Sequence, residues 1–437
     1  MKRTYTPTKP KKILIVDDDE TVASAYQSKL QRERFDVAIA STGERALQML
    51  AQERADLVIL DFSSSEMNGP EILNAIRSKS GAEALPVIVL ANFYLPGVAQ
   101  AASGAGATRC VRKSDCTPRE MAEIVRETFA TSRAKVSPGG ISSDIGSASA
   151  SAFDPSRSNK SKTVSEDFEV EFKARLIAAF LANAPRKLGK LRACHQDLVN
   201  TKREDERLTE LFKMRRLARL LAGAASVAGF REFARLASAL EALFIKLHQK
   251  PANIMPSVIR TIAHAVDLLA VLFDHATKSE VEMLPISPTI LVVDDEVISR
   301  ETICSAIEQA DIRAVSLDDP KNAERLLQAT HFDLIFLDVD MPGLNGLDLC
   351  ARIRKMPTNR STPVVFVTGH SDFATWAKSS LSGGNDFIAK PFLSIELALK
   401  ALVWLFRGTT ASPADKKDCL AELPNEPARS NAAVTVS

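Results

Sequence analysis

The chain has 437 residues, 45% of them hydrophobic, and a formal net charge of +2. That length suggests about three domains, and that apolar content is enough for packed cores. The near-neutral balance excludes a global electrostatic case for nucleic acid or for an acidic partner. The six cysteines form no Cys-x-x-Cys pair and no metal-ligand spacing, which fits a reducing cytoplasm. Only four apolar residues separate the basic start, Met1 to Lys12, from Asp17-Asp18-Asp19-Glu20, so no signal peptide is expected. No run of about 18 apolar residues is read, so no membrane span is expected.

From about 11 to 131, short apolar strands alternate with helical stretches. Ile13 to Val16 is the first strand and ends at Asp17-Asp18. A helix from about Val22 to Glu33 follows, with further strands at Val37–Ala40, Leu57–Leu60, Val87–Leu90 and Arg109–Val111. Five βα units predict a flavodoxin-like, doubly wound parallel sheet of the α/β class. In such sheets the C-terminal strand edge is where chemistry is placed. A lone Asp pair after a strand reads first as a helix N-cap. Asp17 and Asp18 are not alone, because Asp61 ends the third strand and Lys113 follows the fifth. Three converging carboxylates repel one another, and a hard cation with oxygen ligands, Mg²⁺ first, resolves that repulsion.

Residues 132–164 are rich in Ser, Gly and Ala and carry Pro138 and Pro155, so a flexible, disordered linker is expected. Residues 165–276 are helical in pattern. Phe168, Phe172, Leu176, Ala179 and Phe180 give one apolar face; Leu236, Leu240, Leu243, Phe244 and Leu247 a second; Val258, Ile262, Val266, Leu269 and Phe273 a third. With Pro185, Pro251 and Pro256 as punctuation, a bundle of four or five helices follows.

Residues 288–408 repeat the first unit in register. Asp17 and Asp294, Asp18 and Asp295, Asp61 and Asp338, Gly69 and Gly346, and Lys113 and Lys390 are each 277 residues apart. The chain therefore carries two copies of one domain, followed by a polar tail, 409–437, expected to be disordered.

At these residues both copies resemble the receiver domain of bacterial two-component response regulators, over about 240 of the 437 residues. The resemblance implies that Asp338, and in the first copy Asp61, is the phosphoacceptor. Lys390 and Lys113 would pair with the phosphoryl group. Mg²⁺ would be held by Asp294, Asp295 and Asp338 with the carbonyl of Asp340, and in the first copy by Asp17, Asp18 and Asp61 with the carbonyl of Ser63. Thr368 and Phe387 would form the switch, and Pro391 is expected in the cis form. The first copy departs from the pattern. Ala91 replaces the switch hydroxyl, Cys110 stands where an aromatic is frequent, and Ser65 and Ser114 stand where prolines are usual. Asp338 is therefore expected to be the chief acceptor, while Asp61 is left open and its domain is read as a docking module.

In the middle, Ala218-Arg219-Leu-Leu221-Ala222-Gly223-Ala-Ala225 resembles the His-x-Leu-Lys-Gly motif of histidine phosphotransfer (HPt) domains. Arg219 stands at the His and Ala222 at the Lys. A guanidinium stays protonated and cannot carry the phosphoryl group, so the domain is read as HPt-like without its acceptor. His195, His248, His264 and His275 lie off the motif and are read as ordinary surface or core positions. Arg215, Arg216, Arg219, Ala222, Gly223 and Ser226 share a helix face, in a domain with 18 Lys and Arg against 13 Asp and Glu. That face is expected to dock on a receiver's acidic edge.

The resemblance implies a bacterial, cytoplasmic phosphorelay protein that is not an enzyme with a free substrate. Its expected partners are a sensor histidine kinase or HPt protein and a downstream protein, with a homodimer as a further option. Membrane and nucleic acid are not expected partners. Two other readings stand beside it: a non-switching scaffold or phosphate sink, and a DNA-binding regulator using a helix-turn-helix at Arg219 to Leu236.

Overall fold

Buried apolar runs form the strands that organise each α/β unit. The computed structural model describes residues 10–62, 68–78, 84–134, 159–278, 288–369 and 382–410. In the first unit β1 (Lys12–Val16), β2 (Asp36–Ala40), β3 (Leu57–Asp61), β4 (Val87–Ala91) and β5 (Arg109–Arg112) form one parallel sheet in the order β2-β1-β3-β4-β5. Strands β3 and β4 are buried along their whole length, as expected for a sheet covered on both faces. The helices are α1 (Glu20–Arg32), α2 (Gly43–Gln52), α3 (Gly69–Ser78), α4 (Val98–Gly104) and α5 (Pro118–Ala134). Asp19, rather than Asp17 or Asp18, caps α1: its carboxylate accepts from the backbone N–H of Thr21 and Val22. Asp17 and Asp18 are thereby left for the strand edge.

The second unit repeats the plan. Strands β6 (Thr289–Val293), β7 (Arg313–Leu317), β8 (Leu334–Asp338), β9 (Val364–Thr368) and β10 (Asp386–Ala389) form a parallel sheet in the order β10-β9-β8-β6-β7. This is the same order as the first sheet once each strand is matched to its repeat. Helices α10 (Val297–Gln309), α11 (Pro320–Ala329), α12 (Gly346–Ile353) and α13 (Ser394–Thr410) flank it.

Between the two units lie α6 (Asn159–Asn200), α7 (Glu204–Ala228), α8 (Arg231–Gln249) and α9 (Pro256–Lys278). Two sequence readings are corrected here. Helix α6 starts at Asn159, inside the stretch expected to be linker. Pro185 does not punctuate but lies within α6; Phe180, Ala184, Leu188 and Leu191 form a continuous buried face across it, and their packing carries the helix through the lost hydrogen bond. Helix α9 contains a window, Pro256–Thr277, that is long and apolar enough to cross a membrane by length and composition. Half of that window is buried in protein, where Val258, Ile262 and Leu269 belong to the bundle core. The tail beyond Thr410 lies outside the described residues, as do residues 135–158 of the expected linker.

The bundle is not a spacer. Its core is continuous with one face of the second sheet: Leu240, Leu269, Ile290, Phe336 and Leu399 belong to one apolar cluster. Helix α13 packs on α8 and α9. The first unit is joined chiefly through polar side chains that meet at the carboxyl edge of its sheet, with smaller apolar contacts: Val227 of α7 belongs to the first unit's core cluster and Tyr94 to the bundle's.

Candidate functional site

Each acidic pocket is built where parallel strands end side by side. The ligand oxygens of Asp294, Asp295 and Asp338 all lie within 4.8 Å of one another, and so do those of Asp17, Asp18 and Asp61. Strands β6 and β8 run in parallel, with Val293 paired to Leu337, so the residues that follow arrive together. The same holds for Val16 and Leu60 in β1 and β3. The tertiary fold brings together the acidic side chains that the 277-residue repeat singled out.

In the second pocket Lys390 Nζ lies 3.1 Å from Asp294 Oδ2 and 3.3 Å from Asp338 Oδ2. Among the described residues it is the one cation in ion-pair reach of Asp338. Asp294 is fixed from below: Ser299 Oγ donates to its Oδ2 at 2.5 Å and the Glu296 N–H to its Oδ1 at 2.9 Å. Asp295 is exposed, and so is Asp340, whose N–H faces Asp338 Oδ1 at 3.4 Å. Burial, reinforced by Asp294, pushes the Asp338 carboxyl above its usual range against the pull of Lys390. Burial would lower the Lys390 ammonium, but Asp338 and Asp294 outweigh it and hold the charge on. Three carboxylates against one lysine leave a net negative, oxygen-rich site, the donor chemistry of a hard cation. Thr368 ends β9 fully buried, beside Asp338 at the end of β8. Phe387 lies in β10, and the Lys390–Pro391 bond is cis, as expected.

The first pocket has the same carboxylates but a different occupant. Lys113 Nζ donates to Asp17 Oδ2 at 2.9 Å and to Asp61 Oδ2 at 2.7 Å. Arg219, from α7, enters the same space. Its Nη2 donates to Asp61 Oδ2 at 2.6 Å and also to Asp18 Oδ1, and stands 3.9 Å from Asp17 Oδ1. Burial works against the charge on Arg219 and on Lys113, but the surrounding carboxylates, Asp61 for Arg219 and Asp17 for Lys113 foremost, raise both. Burial pushes Asp17 up to about 7, with Lys113 opposing.

The rest of the contact surrounds this plug. Gly223 lies against α1: a Cβ there would stand 2.8 Å from Val22 Cγ2 and 2.9 Å from Asp19 Oδ2, so the close approach needs a glycine. Ser226 Oγ donates to the Lys113 carbonyl at 2.7 Å and to the Cys116 carbonyl at 3.3 Å. Arg215 is partly buried on the same side, with burial lowering it and Glu241 and Asp18 pulling the other way. Arg216, which spacing placed on the docking face, is exposed; it sits about 60° around the helix from Arg219, at the rim of the contact. Ser63 and Ser65 lie outside the described residues.

Sequence reasoning missed the second half of this clasp. Asn92, next to Ala91, donates from Nδ2 to the Ser238 carbonyl at 2.8 Å and to Glu241 Oε2 at 3.1 Å. Glu241 is buried in α8, and burial pushes its carboxyl up, against the pull of Arg219. Lys29 pairs with Glu169 of α6 and Arg231 with Glu120 of α5. No sequence signal ties Asn92 to Glu241, because the pairing exists only once two domains dock. Arg215, Arg219, Gly223 and Ser226 did carry one, because their spacing puts them on one helix face.

At the second unit, Asp386 is wholly buried beside Lys400, 2.9 Å away, with His264 Nδ1 at 3.3 Å and Arg260 at 3.9 Å. The Arg260 guanidinium stands 4.8 Å from the centre of the Phe387 ring. His264, read from sequence as an ordinary position, therefore lines the joint between the bundle and the second sheet.

Twin doubly wound domains, each with an acidic triad and a lysine at its carboxyl edge, define a class of phosphoacceptor module. The family model of the response regulator receiver domain matches residues 13–126 and 290–402, together just over half of the chain, and the chain belongs to that family. It is 32% identical over 120 residues to the uncharacterized transcriptional regulatory protein YrkP of Bacillus subtilis, covering 28% of this chain and 50% of that protein. It is 32% identical over 111 residues to the phosphate regulon transcriptional regulatory protein PhoB of Escherichia coli, covering 25% and 48%. With the autoinducer 1 sensor kinase/phosphatase LuxN of Vibrio harveyi it shares 33% identity over 98 residues, covering 22% and 11%. The receiver domain of the Francisella response regulator 1452 is 30% identical and aligns over 28% of this chain and 98% of that one, with a TM-score of 0.26. The match spans half or less of each of the three sequence relatives.

Proposed function

We propose that this chain is a response regulator of two-component phosphorelay signalling and that Asp338 is its working phosphoacceptor. The supporting observation is the second pocket: three carboxylates within 4.8 Å, Lys390 bridging Asp294 and Asp338, and Thr368 at the end of the neighbouring strand. The side chains of Asp294, Asp295 and Asp338, with the Asp340 carbonyl, suit Mg²⁺, which when bound would neutralise charge on the phosphoryl oxygens. A carboxylate oxygen of Asp338 attacks phosphorus. The new O–P bond forms as the bond from phosphorus to the donor breaks, and its electron pair leaves with the donor. Lys390 holds the negative oxygens in line. The Thr368 hydroxyl and Phe387 read the added charge.

The donor is a sensor histidine kinase or an HPt protein. The output is protein–protein interaction, with a homodimer among its forms, rather than turnover of a free substrate. The cytoplasm is the compartment this reading requires. The first receiver and the HPt-like bundle act as a docked pair, with Arg219, Gly223 and Ser226 as the docking face. That burial also takes the Arg219 face out of reach of a DNA groove.

Intact mass after incubation with acetyl phosphate and Mg²⁺ tests the central claim. Wild type and Asp61→Ala gain one phosphoryl group, and Asp338→Ala gains none. Added mass that survives Asp338→Ala and disappears in Asp61→Ala would reverse the assignment. No added mass on any variant, with acetyl phosphate or with a phosphorylated HPt donor, would favour the scaffold reading.

A further inference from the structure

The two pockets differ in one respect that bears on what each can bind. In the second, three carboxylates face one lysine. In the first, the same three carboxylates face two fixed cations, Lys113 and Arg219. Arg219 Nη2 lies within hydrogen-bond reach of oxygens from both Asp18 and Asp61. A divalent ion would need those same oxygens at about 2.0–2.1 Å for Mg²⁺, in near-octahedral order and with room for its waters. The guanidinium takes the lone pairs, the space and much of the negative charge, and as a fixed like charge it repels the ion. The Arg219 side chain is itself nine-tenths buried, and its helix is held by Gly223 against α1 and by Ser226 against the Lys113 carbonyl. It is therefore not a surface arginine that swings away.

From this we propose that Arg219 is the resident cation of the first receiver, supplied by the chain itself, and that while α7 is docked the Asp17, Asp18 and Asp61 triad binds no divalent metal ion. The HPt-like helix then presents a permanent positive group where a working HPt domain presents a transferable phosphoryl group. Ala91 agrees with this, since a site that takes no phosphoryl group while α7 is docked has no use for a switch hydroxyl. Asn92 beside it is spent instead on the bundle, through Ser238 and Glu241. The inference goes beyond the assignment of Asp338 and rests on that reading only for the count of ions in the second pocket.

The test counts bound Mn²⁺ by the loss of the free-ion electron paramagnetic resonance signal, using the full chain. Wild type is expected to bind one ion, and Asp338→Asn none. Arg219→Ala is expected to bind two, and Arg219→Ala with Asp61→Asn one. Gly223→Leu is the independent variant: it keeps Arg219 but wedges α7 away from Val22 and Asp19, and it too is expected to bind two. Circular dichroism identifies which variants are folded, and either single variant, once folded, decides the outcome. Two ions on wild type, one of them lost in Asp61→Asn, would overturn the inference. So would folded Arg219→Ala or Gly223→Leu protein that gains no ion over wild type. A wild-type count unaffected by Asp338→Asn would sink the reading of the second pocket instead, and the gain on freeing Arg219 would still decide this one.

Discussion

Lys400 and Asp386 form a buried pair inside the second receiver, and Arg260 and His264 of α9 face the same carboxylate from the bundle. Lys400 is almost wholly buried and donates to Asp386 Oδ2 at 2.9 Å and to the Phe387 carbonyl at 3.1 Å. Removing one partner of such a pair leaves an uncompensated charge in the interior. Lys400→Met is expected to cost about 3 kcal/mol of stability in urea unfolding, the lower end of that range because Arg260 and His264 still face Asp386. Adding Asp386→Asn should recover part of the loss. The same carboxyl sets an acid dependence. Burial would raise it, but Lys400 and His264 hold it below its usual range. The folded value therefore lies below the unfolded one, near 3.9. Its stabilisation is complete at neutral pH and is lost as pH falls from about 5 downward. Thermal melts across that window should fall less steeply for Asp386→Asn than for wild type.

Helix α12 begins at Gly346 for a reason its neighbours set. A Cβ at that position would run into the Asp338 carbonyl and stand 2.9 Å from the Asp338 carbonyl carbon, both backbone atoms that cannot rotate away. A Cβ at its repeat partner Gly69 would stand 2.7 and 2.9 Å from Phe62 backbone atoms, so both copies use glycine where the helix after the third strand crosses that strand's end. Gly346→Ala is expected to push α12 off β8, to cost about 1–3 kcal/mol as an overpacked site, and to move the Asp338 carboxylate out of line. Intact mass with acetyl phosphate should show phosphorylation at least tenfold slower in that variant. An unchanged rate would mean that α12 is not what holds the acceptor in place.

The bundle and the second receiver share one apolar core, and this makes a prediction about cooperativity. Leu240 of α8 and Leu269 of α9 are completely buried in the cluster that also contains Phe336 and Leu399 of the second receiver. Both tryptophans of the chain, Trp376 and Trp404, belong to the second receiver. Leu240→Ala is expected to cost about 2–5 kcal/mol and to lower the urea midpoint seen by tryptophan fluorescence, although the substitution lies outside that receiver. A fluorescence midpoint left where it was, with far-ultraviolet circular dichroism alone shifting, would show that the two domains unfold separately. The first receiver, joined chiefly by ion pairs and hydrogen bonds with only small apolar contacts at Val227 and Tyr94, is expected to separate from the bundle at a lower urea concentration than the second.

Sequence alone determined the twin domains, their strand content and the identity of both acidic pockets. A five-strand βα pattern leaves few topologies, and the constant 277-residue offset marks the side chains that a parallel sheet must bring to one edge. It also singled out Arg219, on a motif that resembles a phosphotransfer helix, as a residue that stays protonated and cannot carry a phosphoryl group. What it could not decide was where the docking face goes. Helical spacing put Arg216 beside Arg219, but only the packed structure leaves Arg216 exposed and sends Arg219 into the first receiver rather than the second. Asn92, Glu241, His264 and Arg260 carried no signal either, since each acquires its role from a residue far away in sequence. The helix through Pro185 belongs with them, because local propensity argues for a break there and a buried face overrules it. Local pattern reports what a segment prefers; the contacts between domains, set by shape and charge over the whole chain, decide which of the two like pockets is left open for chemistry.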